Sequence, residues 1–137
     1  MAAAIALLTR TREIYSDTNA ATLRSTIFDT NTYETSGGEM SKHIVMWNVR
    51  GETREQKHEA ALLVKNSFES LIGKVAGLQK LEVGLDVSGI DYACDVVLYT
   101  EFESQESLDY YAFHPDHARV KEELSDVRIA RHQVDYI

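Results

Sequence analysis

The chain has 137 residues, of which 44% are hydrophobic, which is enough for one domain with a real core. Its 22 acidic side chains against 14 basic ones give a formal net charge of −8, and phosphate backbones and anionic lipid surfaces recruit clustered Lys and Arg, so neither nucleic acid nor a membrane is an expected partner. The single cysteine, Cys94, rules out an intramolecular disulfide and a CxxC redox or metal site, and reads as a small buried hydrophobe in an apolar run.

Residues 1–39 read as a weakly structured or disordered leader. Ala2 to Leu8 is apolar but short and has no basic start, unlike a secretory signal. Thr9 to Glu39 is rich in Thr, Ser and Asn and lacks periodicity. Met40 then reads as a natural start, with the leader translated from an upstream one. A transit peptide is the competing reading: Arg10, Arg12 and Arg24 suit it, while Glu13, Asp17 and Asp29 oppose it. No apolar run is long enough to span a bilayer, and a cytoplasmic location is expected.

Dense patterning begins at Met40 and runs to Ile137. His43 to Val49 is β-branched and aromatic, and apolar on both faces, as in a central strand. Its odd-numbered residues, His43, Val45, Trp47 and Val49, share one face, expected to lie opposite the helices. Thr53-Arg54-Glu55-Gln56 is a capping box, and Ala60, Val64, Phe68, Leu71 and Val75, joined by Ala61 and Ile72, repeat at helical spacing. The helix therefore runs from about Thr53 to about Ile72, with Gly73 and Gly77 making the stop and turn. Leu81 to Val87 alternates strictly, as a half-buried strand does. Ala93 to Phe102 is a third strand, apolar on both faces around Val96 to Tyr99.

Ser104 opens a second helix whose inner side carries Leu108, Tyr111 and Ala112. Tyr110 to His117 then holds a break. His114 precedes Pro115 and is pushed out of the helical region, and Pro115 suits the first turn of a new helix, so one helix ends near Phe113 and another opens near Pro115. Val120 and Leu124 face inward from the new helix. Val127 to Tyr136 closes the chain as a strand.

The order β-α-β-β-α-β defines an α+β fold of the ferredoxin-like kind, with a four-stranded antiparallel sheet and the two doubly apolar strands in its middle. Helices cover one face of such a sheet. The other, expected to carry Val45, Trp47 and Val49, is too apolar to stand in water, so a homodimer packed face to face, a dimeric α/β barrel, is expected.

Lys42 to Trp47, Leu81-Glu82-Val83-Gly84, Val97 to Ser104, His114-Pro115-Asp116-His117 and Val134-Asp135-Tyr136 together resemble the stress-responsive dimeric α/β-barrel (Dabb) family in order and spacing. The resemblance spans Met40 to Ile137 and implies the same fold and dimer. One plant branch of the family cyclises polyketides with a Tyr and a His, which match Tyr111 and His117 by position, while its first-strand His matches His43. That branch carries a further His on the third strand, where this chain has Val96. The resemblance thus implies Tyr111, His117 and His43 as catalytic candidates. A neutral His takes a proton α to a carbonyl, and a Tyr hydroxyl donates to the developing enolate.

Each candidate also has a bland reading. His114 and His117 serve as caps at the helix junction, His43 as a satisfied half-buried histidine, and Tyr111 as core. A zinc site from His43, His114 and His117 has no HExxH or cysteine spacing behind it, so neither metal nor cofactor is expected. Arg131 and Asp135, on one face of the last strand, are expected to pair or to hold the dimer.

Two functions follow. The first is a homodimer with a small apolar ligand in the barrel mouth, lined by Val45, Trp47, Val96 and His114 beside the catalytic candidates. As an enzyme it would be of the polyketide-cyclase or cofactor-free monooxygenase type, acting on an apolar carbonyl compound. The second is a non-enzymatic dimer whose barrel is filled by its own side chains. Cavity volume separates them.

Overall fold

The structure, a computed structural model, describes residues 38–137. The leader reading lies outside the described residues, apart from Gly38 and Glu39. The elements are β1 (Ser41–Val49), α1 (Arg54–Glu69), β2 (Leu78–Leu85), β3 (Val96–Phe102), α2 (Gln105–Ala112), α3 (Pro115–Glu123) and β4 (Arg128–Tyr136). All pairings are antiparallel and the sheet order is β2-β3-β1-β4, so the two strands apolar on both faces are central.

Local chemistry sets the element ends. The Thr53 hydroxyl accepts from the Gln56 backbone N–H at 3.2 Å, and the Gln56 side chain accepts from the Thr53 N–H at 3.3 Å, closing the capping box of α1. The chain turns after α1 through Gly73 and Gly77, both at φ +79°. At Gly77 a Cβ would stand 2.3 Å from the Ser107 hydroxyl, so the turn tolerates no side chain where it passes α2. Ser104 caps α2, and His114 caps α3 with Pro115 in the first turn.

Three expectations need adjusting. Ile72 is 58% exposed, because the helix stops at Glu69 and the turn carries it outward. Ala112 is exposed too, leaving Leu108 and Tyr111 as the buried residues of α2. Cys94 is half-buried in the loop before β3, which opens only at Val96.

The largest correction concerns the faces of the sheet. Val45, Trp47 and Val49 lie under the helices, at most 2% exposed, within a core that includes Val64, Phe68, Leu98, Phe102, Tyr111, Val120 and Leu124. Trp47 stacks on Phe68 of α1, with centroids 5.2 Å apart and planes at 17°. The uncovered face belongs to the other set. Register aligns Ile44 with Tyr99 and Val134, and Met46 with Val97 and His132. Met46 is 36% and Val134 50% exposed. The bare face is still apolar at its centre, but Ile44 and Met46 make it so, not Val45 and Trp47.

Candidate functional site

Because the odd-numbered residues of β1 face the helices, the site lies inside one subunit, between sheet and helices, and not in the space enclosed by two sheets. A cavity of about 270 Å³ opens there. Its floor is Val45, Trp47, Leu98 and Phe68, its polar wall His43, Tyr111 and His117, and its rim Lys121, Arg128 and Arg131. It exists because β4 is an edge strand that no helix fully covers. From Ile129 onward β4 is exposed, so the helix layer ends short of the sheet edge.

His43 is 7% exposed, and its Nδ1 lies 2.5 Å from Asp135 Oδ1. The ladder sets this pair, since His43 and Asp135 are direct partners across β1 and β4. A carboxylate only accepts, so Nδ1 carries the proton and donates, and in the neutral imidazole the lone pair is on Nε2. The chain of bonds continues along the same face of β4. Asp135 Oδ2 accepts from Gln133 Nε2 at 2.9 Å, and Gln133 Oε1 accepts from Arg131. Arg131 and Asp135 thus do not pair directly but are joined through Gln133.

Tyr111 is 1% exposed. It packs edge-on to His43 at 6.2 Å and tilted against Phe102 at 5.1 Å. Its hydroxyl is buried and has no hydrogen-bond partner among the described residues. Leaving such a group unpaired costs about 1–3 kcal/mol. Burial raises the phenol far above its usual value, although Arg128 and Arg131 pull the other way, so Tyr111 is a donor across the neutral range.

His117 stacks on Tyr111, with centroids 4.2 Å apart and planes at 30°, and its Nδ1 lies 3.4 Å from the Ala112 carbonyl. The two are stacked, not hydrogen-bonded through the phenol. Burial pushes His117 down to about 4 from 6.5; the Ala112 carbonyl opposes this, and the charges of Lys121, His43 and Arg128 reinforce it. Between these values the unfolded chain binds a proton that the folded chain refuses. Stability is therefore expected to fall as pH drops from about 6.5 to about 4 and to be unaffected by this group above that window. Urea midpoints measured across the window should decline in the wild type, and His117→Asn should flatten part of that decline.

Two expected ligand contacts are elsewhere. His114 is the N-cap of α3, accepting from the Asp116 N–H at 3.1 Å, with its ring edge-on to Tyr110. Val96 is core and does not line the cavity. Asp135, Arg128, Lys121 and Phe68 line or support the site without having been singled out for it. Among the described residues no group of three or more His, Cys, Asp or Glu could hold a metal, and no helix is long and apolar enough to cross a membrane.

The fold and the helix-covered cavity define a ferredoxin-like α+β protein with a pocket between helices and sheet. The chain belongs to the stress responsive A/B barrel domain family, whose sequence profile matches residues 42–137. A crystal structure from Bacteroides fragilis, described as a dimeric protein of unknown function with a ferredoxin-like fold, is 32% identical over 71% of this chain and 94% of that chain, with a TM-score of 0.63. A Dabb family protein from Mesorhizobium loti is 19% identical over 72% and 95%, with a TM-score of 0.57. The hydroxynitrile lyase of Passiflora edulis is 13% identical over 72% and 93%, with a TM-score of 0.61, and shares the fold alone. No curated protein matches the sequence. Membership gives the fold, and the chemistry is argued from the site.

Proposed function

We propose that the chain works as a homodimer in which each subunit binds a small carbonyl compound of largely apolar body in its own cavity and moves a proton at the carbon next to the carbonyl. The observation that carries this reading is that Tyr111 lines the cavity while its buried hydroxyl has no hydrogen-bond partner among the described residues. A carbonyl oxygen brought there would supply the missing acceptor. The volume suits a monocyclic compound and lies near the lower end of small-ligand pockets, roughly 300–1,000 Å³.

In this reading Tyr111 donates to the carbonyl oxygen and stabilises the enolate that develops. His43 takes the α-proton on Nε2, and Asp135, already on Nδ1, stabilises the imidazolium that results. His117, neutral near pH 7, braces the Tyr111 ring and adds a polar group without adding charge. A lyase on the same fold, that of Passiflora edulis, is compatible with catalysis here and says nothing of this chain's substrate. The test is deuterium incorporation α to the carbonyl, followed by NMR in D2O with a panel of monocyclic carbonyl compounds. Exchange above the buffer rate for at least one member is expected, and none for any member contradicts the reading.

The dimer rests on the apolar centre of the bare face around Ile44, Met46, Val97 and Val134, and on the Bacteroides fragilis relative being dimeric. Met46→Glu would bury an unpaired charge there, costing about 3–5 kcal/mol or at least a hundredfold in dimer affinity. Sedimentation at micromolar concentration should show a dimer for the wild type and a monomer for this variant. The cytoplasmic setting expected from the sequence is part of this reading.

A further inference from the structure

The rim of the cavity is cationic in a chain whose net charge is −8. Lys57, Lys65, Lys80 and Arg119 each lie against a carboxylate. Among the described residues Lys42, Arg50, Arg54, Lys74, Lys121, Arg128 and Arg131 do not, and of these Lys121, Arg128 and Arg131 converge on one cavity. Arg128 is half-buried and its charge is not neutralised. Its Nε and Nη2 donate to the Leu124 and Lys121 carbonyls at 3.4 and 3.2 Å, and its guanidinium lies 5.3 Å from the Trp47 ring centroid. These contacts hold it in place and leave the Nη1 donors free. Arg131 is held through Nη2 by Gln133, within the chain of bonds that ends on His43, and keeps Nε and Nη1. Two restrained guanidinium groups with donors to spare, beside a desolvated floor, suit a planar anion.

We infer that the ligand is an oxo acid, a carbonyl compound carrying a carboxylate, whose carboxylate is held by Arg128 and Arg131 with Lys121 at the rim while its apolar body lies against Trp47 and Phe68. This rests on the carbonyl-binding reading above and deepens it. A free carboxylate in the ligand offsets the unneutralised charge of Arg128, and the apolar body fills the floor. It also fixes the direction of the ligand, with the carboxylate toward β4 and the carbonyl toward Tyr111.

The test is calorimetric titration of the full chain with phenylpyruvate and with its methyl ester, which differ in charge at one group. Phenylpyruvate is expected to bind at least tenfold more tightly than the ester at low salt, and Arg131→Gln to bring the ratio of acid to ester affinity, measured in the same variant, most of the way to one. Arg131 is exposed, so this variant keeps the core. Arg128→Gln should act the same way, but its α3 contacts make circular dichroism a necessary companion. Equal affinities for acid and ester overturn the oxo-acid inference and leave the carbonyl site standing. An acid preference untouched by Arg131→Gln and Arg128→Gln overturns it as well. Binding of neither compound overturns this inference and counts against the carbonyl site.

Discussion

His43→Ala is expected to lower α-proton exchange by about 10²–10⁴-fold, the usual worth of a positioned general base. His43 is buried, its Nδ1 is committed to Asp135 at 2.5 Å, and Nε2 is the nitrogen that carries the lone pair in the neutral ring. Alanine removes the base and leaves the Asp135 carboxylate, 36% exposed, free to take water. The loss should therefore appear in turnover far more than in folding. Asp135→Asn is the companion. An amide can donate as well as accept, so it no longer fixes which imidazole nitrogen carries the proton. A smaller loss, with His43 still present, is expected. Exchange rates by NMR, with circular dichroism as a check on folding, decide this, and an unchanged rate in His43→Ala removes that residue from the proposed chemistry.

Trp47→Ala is expected to cost about 3–5 kcal/mol of stability, the range for truncating a buried large aromatic. Trp47 is 2% exposed, stacks on Phe68 and lies under the Arg128 guanidinium. Alanine would lose both contacts and extend the existing cavity, so little collapse can offset the loss. Trp47 is the chain's one tryptophan, so its fluorescence vanishes with it, and unfolding in urea is best followed by circular dichroism. Protomer concentration must be held fixed, because dimerisation adds to apparent stability. A cost below about 1 kcal/mol would contradict the packing described above.

Both expectations depend on which face of β1 meets the helices, and there the sequence reading, which put Val45, Trp47 and Val49 opposite the helices, is overturned by their burial in the core. Alternation in His43 to Val49 states which residues travel together, and it does so correctly. A strand apolar on both faces carries no mark of which face receives the helices. The stacking of Trp47 on Phe68 decides it, and no spacing in the sequence reveals that contact. By contrast, the helix break at Pro115 was legible because proline acts locally, and the Thr53 box because both of its bonds lie within four residues. The sheet order followed from which strands are apolar on both faces.

The site was legible in proportion to how local its chemistry is. His43, Tyr111 and His117 were marked by family resemblance, and they do share one cavity wall. His114 falls away because a histidine before a proline can satisfy the new helix directly. Asp135 stands 92 residues from His43, and only the β1–β4 register makes them partners. Arg131 reads from the sequence as a partner of Asp135 or a dimer contact, and nothing local marks Arg128. Their importance comes from the uncovered edge beside β4, a property of the layers and not of any segment.

The most direct test of the account replaces Tyr111 with phenylalanine and measures stability and carbonyl-compound binding together. If the hydroxyl waits on a ligand, the variant loses at least tenfold in affinity while stability stays the same or rises by up to about 1–3 kcal/mol, since an unpaired buried polar group has been removed. A variant that is less stable than the wild type yet binds as well would show that the hydroxyl serves the core, and would contradict the account.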